Sequence, residues 1–407
     1  TIMLITHDLG VVAEVADDVG VMYAGHLVER SSVESFFSKP YHPYAQGLFA
    51  AMPRVDKPVR SLAVIPGTVS SLSPLPVGCR FQSRCAHVWD DCRTRLPEWR
   101  EHSEGHQVRC HLYDQLPPIV PSPPSDHLVD PPESATLTPE PGPLLDLEDI
   151  AVTFPVKAGV FRAGGGMVRA VNGVSLSIAN GQTLAVVGES GCGKTMPCLS
   201  ILRLQPEPAG RILGGEVLLD GEDVLQLEPG ELRHLRGAKI AMIPQDPMVS
   251  LNPLYTVGNQ VTECFAYHPE SHSGDQVPPS SGGKTTIMDK VVDVLQRVRI
   301  PNPRDRVRDY PHQFSGGMRQ RVTAAMGIAT RPRLLIADEP TTSLDVTVQA
   351  QFLETLRDLQ RDYGMALLYI THDLGVVASM ADHVAVMYLG KVVEHSDVRT
   401  IFKKPKH

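Results

Sequence analysis

The stretch "TLAVVGESGCGKT", residues 183–195, decides the fold. Residues 183–187 are apolar and rich in β-branched side chains, the pattern of a short buried strand. Gly188-x4-Gly193-Lys194-Thr195 follows at P-loop spacing. Glycines there let successive backbone N–H groups turn inward onto a phosphate, and the helix start that follows adds the positive end of a dipole. Lys194 is expected to reach the β- and γ-phosphates and the Thr195 hydroxyl to hold Mg²⁺. The predicted cradle runs through Gly188, Glu189, Ser190, Gly191, Cys192, Gly193, Lys194, Thr195 and Met196. Cys192 is a variable position of the loop, and Pro197 falls in a first helical turn, where proline is permitted. A look-alike, "SSGGKTT" at 280–286, is set aside. Its first glycine would stand at 278, which is Pro278, and no strand precedes it.

Downstream, "RLLIADEP" (333–340) reads as a second buried strand ending in two carboxylates. Asp338 is placed to hold Mg²⁺, usually through water. Glu339 is placed to polarise the water that attacks a γ-phosphate. Between the two strands, "QFSGGMRQR" (313–321) offers Ser315, Gly316 and Gly317 at the start of a helix expected to continue through Met326. A serine hydroxyl and glycine amides there form another anion site. One domain thus carries two phosphate-binding helix ends, which makes sense if the second serves a nucleotide held by another domain.

These pieces, in this order, resemble the nucleotide-binding domain of ABC transporters, and the resemblance covers residues 144–407. It implies ATP and Mg²⁺ as ligands and ATP hydrolysis coupled to transport. Phe154 in "LEDIAVTF" corresponds to the aromatic that stacks on adenine. Gln245 in "MIPQDP" corresponds to the glutamine that senses Mg²⁺ and the attacking water and links to transmembrane subunits. Ser315 to Gln320 match the signature motif, with Met318 where many members have Gln. Ser343, Leu344 and Asp345 match the D-loop, and His372 in "ITHD" matches the histidine expected to contact the γ-phosphate. The segment between Gln245 and Ser315 is the implied helical subdomain, about 246–314, facing permease subunits. Its residues Val291, Val292, Val294, Leu295 and Val298 have helical spacing, most simply a core stripe.

The end of this domain recurs at the start of the chain. Shifted by 365 positions, Ile5–Glu29 matches Ile370–Glu394 at 18 of 25 positions, and Phe37, Lys39, Pro40 and His42 fall on Phe402, Lys404, Pro405 and His407. A period this long means two related domains, not a solenoid. The sequence therefore reads as a tandem of two nucleotide-binding domains, cut at both ends. Roughly 220 residues of the first would precede Thr1 on the usual domain-length prior, and His7 is the counterpart of His372. In this family two such domains pair head to tail, with ATP between the P-loop of one and the signature of the other.

Residues 74–112 hold Cys79, Cys85, Cys92 and Cys110 at the spacing C-x5-C-x6-C-x17-C. Four thiolates can hold Zn²⁺ or an iron–sulfur cluster, and the spacing alone leaves the metal, or a metal-free reduced set, open. His87, His102, His106 and His111 are read as neighbours of the thiols or surface residues, not as ligands. The segment is similar to the C-terminal extension of oligopeptide/dipeptide importer ATP-binding subunits, through Pro76, Gly78, Phe81, Arg84, Gly105, His106 and Val108 besides the cysteines. That resemblance implies a [4Fe–4S] cluster, with Zn²⁺ as the alternative.

Composition sets the limits. The chain of 407 residues has a net charge of −8 and no basic run, which argues against a nucleic-acid partner. No run of 18 apolar residues occurs, so work at a membrane would pass through partners. Residues 117–143 hold ten prolines and read as an extended linker, spanning roughly 80 Å if fully drawn out. The predicted fold is α/β: a P-loop NTPase of the ABC nucleotide-binding type with a helical subdomain, preceded by the C-terminal part of a second such domain. The predicted divisions are 1–73 for the first domain, 74–116 for its cysteine-rich extension, 117–143 for the linker and 144–407 for the second domain. The expected role is ATP hydrolysis powering di- or oligopeptide import, peripherally, on the cytoplasmic face of the plasma (inner) membrane. The expected partners are permease subunits, a second ATP-binding domain and, indirectly, an external peptide-binding protein. The rivals are a soluble ABC ATPase uncoupled from transport and a nickel-type importer ATPase.

Overall fold

A computed structural model describes residues 2–6, 8–52, 64–67, 76–103, 105–114, 142–155, 166–206, 208–269, 286–342 and 344–407. His7, Ser343, most of the proline-rich linker and nearly all of the 280–286 look-alike lie outside the described residues. The chain divides into two compact units: 1–52, 62–136 and 345–351 in one; 53–61, 137–344 and 352–407 in the other.

In the first unit, helix α1 (Leu9–Val15) leads into the hairpin β1 (Asp18–Tyr23) and β2 (His26–Ser32), then α2 (Val33–Ser38) and α3 (Pro43–Ala51). The cysteine segment adds α4 (Asp90–Thr94), β3 (Arg100–Ser103) and β4 (His106–Val108). The four strands form an antiparallel sheet in the order β1-β2-β4-β3. Tyr23, Tyr44 and Phe81 pack edge-on in its core, with Tyr23 centroids 4.7 Å from Tyr44 and 5.0 Å from Phe81. Cys79 N–H donates to the Cys92 carbonyl at 2.8 Å. Gly78 makes that approach possible, since a Cβ there would sit 2.2 Å from the same carbonyl oxygen.

The second unit is built on the strands foreseen from the apolar runs. Its N-terminal strands are β5 (Leu145–Pro155), β6 (Met167–Ile178) and β7 (Thr183–Val187); α5 (Thr195–Ile201), β8 (Arg211–Leu219), β9 (Glu222–Asp223), α6 (Pro229–Ala238) and β10 (Ile240–Ile243) follow. The helical lobe comprises α7 (Pro247–Ser250), α8 (Val257–Tyr267), α9 (Ile287–Arg297), α10 (Pro303–Arg306) and α11 (Gly316–Ile328). Then come β11 (Leu334–Asp338), α12 (Val346–Tyr363), of which residues 352–363 belong to this unit, β12 (Ala366–Ile370), α13 (Leu374–Met380), β13 (His383–Tyr388), β14 (Lys391–Asp397) and α14 (Val398–Lys403). The central sheet runs β10-β11-β12-β7-β13-β14, parallel except for β14. Every residue of β7, β11 and β12 is buried, as strands covered on both faces must be. A second, antiparallel sheet, β6-β5-β8-β9, flanks it. The apolar stripe of α9 is buried as expected: Val291, Val294 and Leu295 are 0–4% exposed.

The sequence repeat is also a structural repeat. Asp8 caps α1 through the Gly10 and Val11 amides, and Asp373 caps α13 through Gly375 and Val376. The hairpins β1–β2 and β13–β14 share one register, with a bulge after Val21 and after Val386. Their tight turns place both central residues at positive φ: Ala24 and Gly25 at 47° and 77°, Leu389 and Gly390 at 44° and 74°. That is what a type I′ turn requires to match strand twist. The copies differ in cover. α13 buries Val376 and Val377 beside β7, whereas α1 buries none of its residues and Ile2, Met3 and Ile5 are 86–90% exposed.

Candidate active site

The P-loop leaves the C-terminal end of β7, the central strand, and turns into α5. Gly193 lies at φ +103°, and a Cβ there would come within 2.5 Å of the Ala170 carbonyl on β6. Lys194 is 5% exposed, and its ammonium donates to the Gly188 and Glu189 carbonyls at 2.8 and 3.0 Å. The loop is braced from behind by the turn of the repeated hairpin. Gly390 N–H donates to the Cys192 carbonyl and Asn172 N–H to the Gly390 carbonyl, both at 2.8 Å. Pro197 sits within the first turn of α5 and is buried. Glu189, Ser190 and Gly191 are exposed along the rim of the loop, and Met196 packs against the core beneath it.

β11 delivers the two carboxylates. Asp338 is 3% exposed and accepts from the Thr195 hydroxyl at 3.2 Å. Burial holds its carboxyl above the ordinary range and the neighbouring Glu339 adds to the rise, while the Thr195 hydroxyl and Lys194 pull the other way. Glu339 is the hub. Lys194 Nζ is 3.7 Å from one of its oxygens; the other lies 3.3 Å from His372 Nδ1, 3.1 Å from the Thr342 hydroxyl and 3.4 Å from the Gln245 amide. Its backbone is left-handed, φ +42°, a conformation that costs a non-glycine residue on the order of 1 kcal/mol. Its N–H donates to the Ile370 carbonyl at 3.0 Å. Five side chains from four separate segments therefore converge: Lys194, Gln245, Glu339, Thr342 and His372. Neither the Thr342 bond nor the strained backbone of Glu339 has any sequence signal.

The remaining predicted residues stand apart from this cluster. Phe154, on β5, pairs across the ladder with Val168, two residues from the Ala170 carbonyl that abuts the P-loop. Its ring is partly buried against the core. Ser315 caps α11, accepting from Met318 N–H at 3.3 Å; Ser315 and Gly316 are exposed and Gly317 is half-buried. No hydrogen bond joins them to the P-loop among the described residues. Asp345 caps α12, accepting from the Thr347 and Val348 amides at 3.1 and 3.0 Å.

Two family models match the chain, "ABC transporter" over residues 171–342 and "Oligopeptide/dipeptide transporter, C-terminal region" over residues 28–92. The oligopeptide transport ATP-binding protein OppD of Bacillus subtilis is 46% identical over 264 residues, covering 65% of this chain and 69% of that protein. The chain belongs to the ABC ATP-binding proteins of the oligopeptide/dipeptide importer type. The dipeptide transport ATP-binding protein DppD of Escherichia coli is 45% identical over 264 residues, 65% of this chain and 75% of its own. OppD of Mycobacterium bovis is 36% identical over 408 residues, 100% of this chain and 63% of that protein. A dimeric ATP-binding cassette solved with ADP and phosphate shares the fold, at TM-score 0.51 and 24% identity over 63% of this chain and 99% of that one. As an ABC ATPase the chain binds ATP with Mg²⁺. The glycine cradle, the Lys194 ammonium and the paired Thr195 and Asp338 oxygens fit that ligand set. No helix among the described residues is long and apolar enough to cross a membrane.

The four cysteines of the first unit are all free thiols and line one small cavity with His42, Phe81, Trp89 and His111. Burial raises three of the thiols: Cys85 to about 11, with Cys79 and Cys110 also pushed up. In kind these donors fit a thiolate-bound centre. Among the described residues, however, no three His, Cys, Asp or Glu side chains converge on one ion. Of the nearby histidines, His106 is neither at the surface nor at the thiols. It is fully buried against Glu29, Nε2 to Oε1 at 2.7 Å. His111 is likewise buried, bonded to Asp114 at 2.6 Å.

Proposed function

We propose that this chain is the ATP-hydrolysing subunit that powers import of di- and oligopeptides through membrane permeases. The convergence of Lys194, Gln245, Thr342 and His372 on Glu339, beside Thr195 and Asp338, carries the chemical half of this reading. Lys194 grips the β- and γ-phosphates, and Phe154 stacks on the adenine. Thr195 and Asp338 would hold Mg²⁺, with Gln245 beside it, and the bound ion would supply positive charge to the phosphate oxygens. Glu339 takes the proton of the attacking water, which Gln245 and His372 orient toward the γ-phosphate. The exposed Ser315, Gly316 and Gly317 close on the nucleotide of a second ATP-binding domain, with Asp345 at that junction, so the working unit is a head-to-tail pair. The helical lobe beyond Gln245 meets the permeases on the cytoplasmic face of the membrane, and an external binding protein delivers the peptide.

Residues 1–52 are the closing elements of another such domain, and the chain is part of a tandem. The shared caps, register and bulge of the two hairpins support this, as does an alignment to the Mycobacterium bovis protein along the whole chain. Cys79, Cys85, Cys92 and Cys110 would hold a [4Fe–4S] cluster, with Zn²⁺ as the alternative; either would supply a rigid thiolate-bound cross-link. Elemental analysis of anaerobically purified protein checks the metal. Iron with an absorbance shoulder near 400 nm is expected; stoichiometric zinc and no colour would reverse the choice, and neither metal would remove the centre.

Transport is tested in cells expressing the chain with its permeases. Uptake of a labelled tripeptide should stop when Lys194→Ala replaces the wild type, with labelled nickel uptake unchanged. The reverse pattern would make it a nickel importer's ATPase, and loss of neither would uncouple it from import.

A further inference from the structure

The two oxygens of the Glu339 carboxylate are not held alike. Oε1 faces the Lys194 ammonium at 3.7 Å. Oε2 is crowded: the Thr342 hydroxyl donates to it at 3.1 Å, the Gln245 amide at 3.4 Å, and His372 Nδ1 lies 3.3 Å away. Gln245 and His372 come from other segments, after β10 and after β12. Thr342 belongs to the same turn as Glu339, three residues on, and the main chain closes that turn: Thr342 N–H donates to the Glu339 carbonyl at 3.3 Å. The residue between them and the core is Thr341, which is buried, with its hydroxyl 3.3 Å from that of Tyr369 on β12. Tyr369 is itself fully buried. The turn is thus fastened to the central sheet from beneath, and Thr342 stands on it beside the carboxylate.

Turnover draws the other partners away. On the reading of Glu339 as general base, on which this inference rests, Lys194 goes to the phosphates, and Gln245 and His372 turn to the attacking water. Nothing in that step recruits the Thr342 hydroxyl. We infer that Thr342 is the positioning residue of the base: its hydroxyl pins Oε2 and so presents Oε1 to the water. A carboxylate otherwise turns readily about its last side-chain bond, whose torsional wells are broad. In the step so directed, the water oxygen bonds to the γ-phosphorus. The electron pair of the bridging P–O bond leaves with ADP, and the water's proton goes to Oε1. An aliphatic side chain at 342 would leave the carboxylate free to swing once Gln245 and His372 have turned away. Misplacement of a reacting group by about 1 Å costs on the order of 10²-fold in rate.

Thr342→Val tests this on the full chain, since it removes the hydroxyl at nearly constant shape from an exposed residue. It should lower kcat for ATP hydrolysis by about 10- to 100-fold, with KM and retention of labelled ATP unchanged. Thr342→Ser should recover most of the loss, and Thr342→Ala should repeat it with a side chain too small to crowd the turn. Single-turnover phosphate release then reads Thr342→Val in the Glu339→Gln background. With no base left to aim, the second change should alter the residual rate by less than about twofold, the usual margin of such a cycle. A residue that merely braced the site would slow both backgrounds alike. A Thr342→Val rate within about twofold of wild type, equal losses in the serine and valine variants, a loss confined to KM, or a full loss carried into the Glu339→Gln background would each overturn the inference and leave Glu339 as the base. Wild-type turnover by Glu339→Gln would instead remove the base, and this inference with it.

Discussion

Glu339→Gln should lower ATP turnover by about 10²–10⁴-fold while leaving ATP bound. The range is what a positioned general base contributes, and the geometry explains why binding survives. Glutamine is isosteric, and its carbonyl still accepts from the Thr342 hydroxyl, which lies 3.1 Å from the native carboxylate. The left-handed backbone and the N–H bond to the Ile370 carbonyl are unaffected. What goes is the negative charge opposite Lys194 and the basicity that draws a proton from water. Single-turnover phosphate release measures the first effect, and retention of labelled ATP on a gel-filtration column measures the second. Hydrolysis within tenfold of the wild-type rate would show that the base lies elsewhere.

His106→Ala should destabilise the first unit by about 3 kcal/mol, the scale for stripping a buried carboxylate of a hydrogen-bonded partner. Glu29 is 0% exposed, so the carboxylate would lose a hydrogen-bonded partner in a buried setting. Only the Tyr41 and His42 amides would remain to it. The same change removes the side-chain tie between β2 and β4, the strand leading into Cys110. For a unit of this size the melting transition should fall by roughly 10–20 °C. Differential scanning calorimetry would follow it, with hydrogen exchange at the Val108 amide as a local reporter. His106→Gln, which can still donate to the carboxylate, should recover part of the loss. A transition that stays within two or three degrees would mean that Glu29 is satisfied without the ring.

What the sequence disclosed follows the range of its forces. β7 and β11 were legible because a strand buried on both faces needs a run of apolar positions, and each has four in succession, Leu184–Val187 and Leu334–Ala337. The P-loop was legible because its glycines answer to local backbone geometry, and α11 because Ser315, directly before it, caps the Met318 amide. Contacts between distant segments were not. Glu29 and His106 are 77 residues apart, and their pairing depends on β4 lying beside β2. The brace from Gly390 onto the P-loop depends on β13 running next to β7. Thr342 is an ordinary threonine until the turn after β11 brings its hydroxyl to Glu339. Cysteine spacing named a possible ligand set, but the common cavity arises from the Cys79–Cys92 tether and the path of β4.

The backward-bent main chain at Glu339 sets a limit on improvement by protein engineering. Glycine at that position would relax the φ of +42° and make the empty protein tougher, yet it would abolish the proton acceptor. Selection for thermal endurance and selection for turnover therefore pull this one residue in opposite directions. A library screened only for heat resistance should drift toward Gly or Asn at position 339 and enrich for molecules that hold fuel but cannot burn it.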